Sequence, residues 1–107
     1  MSTTNLTDAN LSRANLSGAS LLNASLFDAN LTNVDLSGAS LSGASLFGAN
    51  LSHANLSGAD LTDVDLSSAK GWTNEQLAQA RSVVGAILPD GTKMTEEAWE
   101  EFKKHYG

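Results

Sequence analysis

Leucine recurs every five residues from Leu6 to Leu66, at Leu6, Leu11, Leu16, Leu21, Leu26, Leu31, Leu36, Leu41, Leu46, Leu51, Leu56, Leu61 and Leu66, without a slip. Two residues before each sits a small apolar residue, alanine in most units and valine at Val34 and Val64; only Leu6 departs, with Thr4. Ala69 keeps the phase for one more step. The residue immediately before every leucine is Asn, Asp or Ser. A step of five turns about 140° net on an α-helix, which would wind the leucines around all sides. On a flat strand an odd step throws consecutive leucines onto opposite faces. The chain must therefore bend inside every unit to bring each leucine inward, and Asn, Asp, Gly and Ser are suitable corner residues.

The order of the units adds a second period. Gly18, Gly38 and Gly58 lie 20 residues apart, as do Asn10, Asn30 and Asn50, and Phe27 falls 20 before Phe47. A 15-residue turn mixes these classes. Four units per turn is therefore expected, a square coil in which each turn covers the apolar centre of the next. Residues 4–69 then make about 3.3 turns, a rod of roughly 16 Å at the usual strand spacing. Such a narrow interior explains why Phe, Trp and Tyr make up only 6% of the 107 residues and why a chain without cysteine can still build a core.

The units A-N-L-S-x, A-S-L-x-x and A-D-L-T-x resemble those of the pentapeptide-repeat family, whose consensus is A-(D/N)-L-x-x. The resemblance covers about two thirds of the chain. It implies an all-β solenoid, a right-handed quadrilateral β-helix of about three to three and a half coils, with the leucines and the small residues two before them pointing inward. The tail Gly85-Ala86-Ile87-Leu88-Pro89-Asp90-Gly91-Thr92 is similar to tails of cyanobacterial members. Some relatives are long dimeric rods that resemble duplex DNA and protect DNA gyrase from quinolones. The net charge of -6 has the matching sign, but so short a coil and so sparse a charge argue against that role.

Past the repeat the character changes, dividing residues 1–71 from a helical cap and tail at 72–107 within one structural domain. Thr73 and Gln76 read as a capping box. Leu77, Ala80, Val83 and Val84 form one helical stripe that Gly85 ends, so Trp72 and residues 74–84 are expected to cap the coil. Thr95 can cap a last helix whose apolar side is Ala98, Trp99, Phe102 and Tyr106, with acids early and lysines late. The cap residues are thus Trp72, Leu77, Val84, Trp99 and Phe102. At the N-terminus Met1–Thr4 offer no comparable cap, leaving fraying and stacking on a second copy as alternatives. Leu22, Phe27 and Phe47 occupy the position after the central leucine, which is Ser or Thr elsewhere. Three uses of this exterior patch stay open: docking of the last helix, self-association, or a foreign partner.

Chemistry is sparse. His53 stands at a variable corner and His105 near a helix end, and neither belongs to a metal motif. Asp60, Asp63 and Asp65 form the densest acidic group, with a weak cation site and a solvated turn as the two readings. There is no nucleophile elbow, P-loop or dinucleotide fingerprint. The chain reads as no enzyme, with no cofactor and no metal. The expected role is a structural or protein-interaction module presenting rigid β-helix faces, with a DNA-mimic binder of gyrase or another DNA-binding protein and a homo-oligomeric scaffold as alternatives. An unknown protein partner and a monomer or weak homodimer are expected. The acidic balance speaks against direct nucleic-acid binding, and no apolar run suggests a membrane span. With no leader-like stretch apparent, the cytoplasm is the expected compartment.

Overall fold

Each five-residue unit satisfies its own backbone, and the unit starting at Asn30 shows how. In a computed structural model, which describes residues 4–107, the Asn30 N–H donates to the Ala9 carbonyl one turn back. The Leu31 and Asn33 N–H groups donate to Asn50 and Ser52 one turn ahead, and the Val34 N–H closes back on Leu31. That leaves the Thr32 N–H, and the Asn30 side-chain Oδ1 accepts it at 3.0 Å. The same side-chain acceptor serves Ser37 from Asp35, Ser52 from Asn50 and Thr62 from Asp60. Asn or Asp before the leucine is therefore the acceptor for the one N–H that stacking leaves over, while Ser reaches it only at Ser45, at 3.5 Å. The residue two after the leucine always has positive φ, for example 65° at Arg13, 58° at Asn23 and 67° at Gly38. That left-handed residue makes the corner and turns the next leucine inward.

Parallel bridges join residues 20 apart from Asn5↔Ser25 to Asn50↔Lys70, the register that the order of the units predicts. The all-β solenoid, a right-handed quadrilateral β-helix, is nevertheless corrected. Among the described residues there is no β-strand and no sheet; the regular elements are two short helices, and the rest is turns and isolated bridges. The reason lies in the unit itself. Two of its five residues are spent in a tight turn, so the bridging residue has no extended neighbour with which to build a ladder. The expectation of rigid strand-built faces falls with it.

The core is the stacked leucine interior. Leu26 through Leu66 are at most 2% exposed, with Val34 and Val64 fully buried among them. Leu6, Leu11 and Leu16, in the first turn, are only partly buried. Fraying or stacking of Met1–Thr4 turns on residues 1–3, which lie outside the described residues.

The cap departs from the expected long helix. Helix α1 spans only Asn74–Ala78, opened by Thr73 and Gln76 in a full capping box. Residues after it rejoin the stack, with bridges Asp60↔Ser82 and Asp65↔Ile87, now 22 residues apart. Arg81-Ser82-Val83-Val84-Gly85 and Ala86-Ile87-Leu88-Pro89-Asp90 are thus two disguised units. Val83 is fully buried where a leucine would stand, and Gly85 takes the corner with φ 85°. Helix α1 fills the side that these units skip, and the extra residues it needs account for the change of register. Residues 92–94 then fold back: Ile87 and Lys93 form an antiparallel bridge, and Met94 exchanges bonds with Gly85 and Ala86. Helix α2, Glu96–Tyr106, is capped by the Thr95 side chain and packs against α1, and its Trp99, 3% exposed, joins the core.

Candidate functional site

Large apolar side chains on the outside concentrate on one side of the stack. Phe27 and Phe47 are 42% and 39% exposed, and their ring centroids lie 5.5 Å apart. Both follow a buried leucine, one turn apart, so stacking places the second ring over the first. Ile87 is 39% exposed. Its bridge to Asp65 puts it on this same side, in line with Ser25 and Ser45. Pro89, two residues on, takes the unit position of Phe27 and Phe47 and is also exposed. Leu22 is 49% exposed but belongs to the preceding side of the turn.

The local sequence explains how rings are tolerated there. Leu22, Phe27 and Phe47 each sit in a unit that begins with Ser instead of Asn or Asp. Ser45 reaches the Phe47 N–H only at 3.5 Å, and Ser25 pairs its hydroxyl with Thr7 instead. Pro89 has no N–H to satisfy, which is why the apolar Ile87 can precede it. Sequence reasoning missed Ile87 and Pro89 because it ended the repeat at Ala69. The available signal was the spacing of Val83 and Leu88 five residues apart, with Gly85 at the corner position.

Charge is sided as well. The units building this side, residues 5–9, 25–29, 45–49, 65–69 and 86–90, carry Asp8, Asp28, Asp65 and Asp90 and no Lys or Arg. Asp8 and Asp28 stand at corners with φ 62° and 56°, both exposed, directly after Thr7 and Phe27. Asp65 is engaged by the Ser67 N–H at 2.9 Å. Asp90 accepts from the Thr92 hydroxyl at 2.6 Å, which above all holds its carboxyl below the ordinary range. Arg13, His53 and Lys70 fall in the units of the next side.

Other predicted residues are placed elsewhere. Docking of the last helix onto Leu22, Phe27 and Phe47 is corrected, because α2 packs on α1 and Trp99 joins the core while the two rings stay exposed. The core is the more favourable destination for Trp99, since the end of the leucine stack offers a complete apolar surface and the patch offers two rings. Leu77 is fully buried, and Trp72, Val84 and Phe102 pack partly buried against the core. Asp60 serves Thr62 and is paired with Arg81 at 3.0 Å. Among the described residues no group of His, Asp and Glu is arranged to hold a metal ion, and no helix is long and apolar enough to cross a membrane.

Stacked turns of A-(D/N)-L-x-x units with a side-chain acceptor before each leucine define a repeat-protein class. The chain belongs to the pentapeptide-repeat family: the family's "Pentapeptide repeats" pattern matches residues 4–43 and 44–70 in eight copies. Among solved structures it is similar to QnrB1, a plasmid-mediated fluoroquinolone resistance protein, with 27% identity and a TM-score of 0.68 over 77% of this chain. It is also similar to alr5209, a pentapeptide-repeat protein from Nostoc, with 38% identity and a TM-score of 0.51 over 80% of this chain. The chain spans 38% of the QnrB1 chain and 65% of the alr5209 chain. No curated protein matches it. Neither structural relative is named for a catalytic activity.

Proposed function

We propose that the chain binds a protein partner through the side chains of Phe27 and Phe47, with Ile87 and Pro89 extending the contact. The observation that carries this is the pair of exposed rings at a position where the other units up to Ala69, apart from the one holding Leu22, place Ser or Thr. Two adjacent aromatic side chains held at the surface gain burial free energy only on contact with something else. Aromatic anchors of this kind dominate the energetics of protein contacts. The reading rests on side chains carried by turns and does not need an extended sheet. Its proposed compartment is the cytoplasm, which cell fractionation of the tagged chain checks.

The test compares affinity capture by the wild-type chain and by Phe27→Ser/Phe47→Ser. Both positions are exposed, and Ser already occupies the equivalent place in other units, so the variant should keep its thermal midpoint. A captured protein is then identified, purified and titrated. Binding to the wild type that is lost in the folded variant supports the proposal. Equal binding to both overturns it.

A further inference from the structure

We infer that the partner segment is a cationic amphipathic α-helix, an inference that rests on the Phe27/Phe47 reading above. Three properties of this side lead there. First, the units that build it carry the carboxylates Asp8, Asp28, Asp65 and Asp90 and no base, and Lys93, whose backbone bridges Ile87, brings a base only at the end of the line away from Phe27. A segment with an apolar stripe flanked by Lys or Arg matches both features, and one flanked by Glu or Asp is repelled.

Second, the backbone of this side is already used. The Leu26 and Asp28 N–H groups donate to Ser45 and Phe47, the Leu46 and Gly48 N–H groups to Asp65 and Ser67, and the Ser45 N–H to Ala24. Across the Phe27 and Phe47 turns an incoming strand finds these groups already paired, so recognition there falls to side chains. A partner that brings its own backbone bonds satisfied, as a helix does, is the fitting form. Third, Phe27, Phe47 and the Pro89 position follow one line. At the usual spacing the line spans roughly 14 Å, about the length of a ten-residue helix.

A second copy of this chain is the poorer occupant. Pairing the patch with itself would bring together two surfaces that each carry Asp8 and Asp28, with no base from these units between them.

The test uses two fluorescent synthetic helices with the same leucine stripe, one flanked by Lys and one by Glu, titrated by anisotropy against the full chain. The Lys helix should bind at least about tenfold more tightly and weaken with added salt. Phe27→Ser/Phe47→Ser should lose about tenfold in affinity. Asp8→Asn/Asp28→Asn should lose about threefold and flatten the salt dependence, while Glu96→Gln/Glu97→Gln, an equal charge change on α2, should leave binding alone. Equal binding of the two helices that still requires the rings overturns the charge inference and spares the patch. Binding that ignores the Phe substitutions, or that falls equally in both charge variants, overturns the patch as the site. No binding of either helix overturns the inference, as does a sedimentation mass that doubles for the wild type and not for the Phe variant.

Discussion

The Gln76 side-chain amide donates to the Leu51 carbonyl at 3.0 Å, and to the Ala54 carbonyl at the same distance. In the turns below, the corresponding Ala14 and Val34 carbonyls accept from the Asp35 and Asn55 N–H groups. Helix α1 replaces the unit that would serve Ala54, and one glutamine supplies the missing donor. Its Oε1 meanwhile accepts from the Thr73 N–H at 2.6 Å, so the residue closes the helix start and the end of the stack together.

Gln76→Ala should therefore destabilise by more than a lost helix cap, about 2 kcal/mol in all. Gln76→Glu keeps the helix-side acceptor but turns an acceptor toward two carbonyls, and should be at least as damaging. Urea unfolding of the three chains measures this. A loss in Gln76→Ala no larger than that of Thr73→Ala would show that the carbonyl contacts contribute nothing.

The leucine stack predicts position-dependent losses. Leu36 is fully buried between turns, whereas Leu11 is only partly buried in the first. Leu36→Ala should cost about 2–5 kcal/mol, and Leu11→Ala distinctly less because less apolar surface is withdrawn from water there. Leu36→Lys, which buries an unpaired charge, should be worse than either. Calorimetric midpoints give the order, and equal losses at the two leucines would contradict the burial argument.

Corner glycines separate strain from crowding. Gly18 and Gly48 share nearly the same backbone, φ 69° and 70°. A Cβ at Gly18 meets open space, while one at Gly48 would overlap the Asp28 carboxylate. Gly18→Ala should cost about 1–2 kcal/mol from conformation alone, and Gly18→Asn less, since Asn23 and Asn33 already hold this conformation. Gly48→Ala should cost more, and Asp28→Ala should return part of the excess. Additive losses in the double variant would remove the steric explanation.

Acid should weaken the fold through the turn carboxylates. Asp35, Asp60 and Asp90 are held below the ordinary carboxylate range, foremost by the hydroxyls of Ser37, Thr62 and Thr92. The unfolded chain then takes up protons first. The contribution is fully present above the unfolded value near about pH 4 and is lost as pH falls through the lower folded values. The triple variant Asp35→Asn/Asp60→Asn/Asp90→Asn keeps the amide oxygen as acceptor, as Asn15 and Asn55 do. Its thermal midpoint should fall less steeply between about pH 5 and pH 2 than that of the wild type. Parallel curves would place the acid sensitivity elsewhere.

Much of this molecule was legible in its residues, and the boundary is physical. The five-residue leucine spacing determined which side chains point inward, and the order of the units determined that residues 20 apart would pair. Thr73 with Gln76 determined where the first helix starts. These are local or strictly periodic signals, and they survive whatever surrounds them. The sequence alone could not tell that pairing would stop at single bridges, because that depends on how much chain each tight turn consumes. Nor could it tell that Ser82 and Ile87 rejoin the stack, since their register is shifted by a helix whose length is decided by how it seats on Leu51 and Ala54. Only the tertiary structure sent Trp99 into the core and left Phe27 and Phe47 outside. The open end of a leucine stack offers more apolar surface than two rings on a wall, and that difference decided where the last helix went.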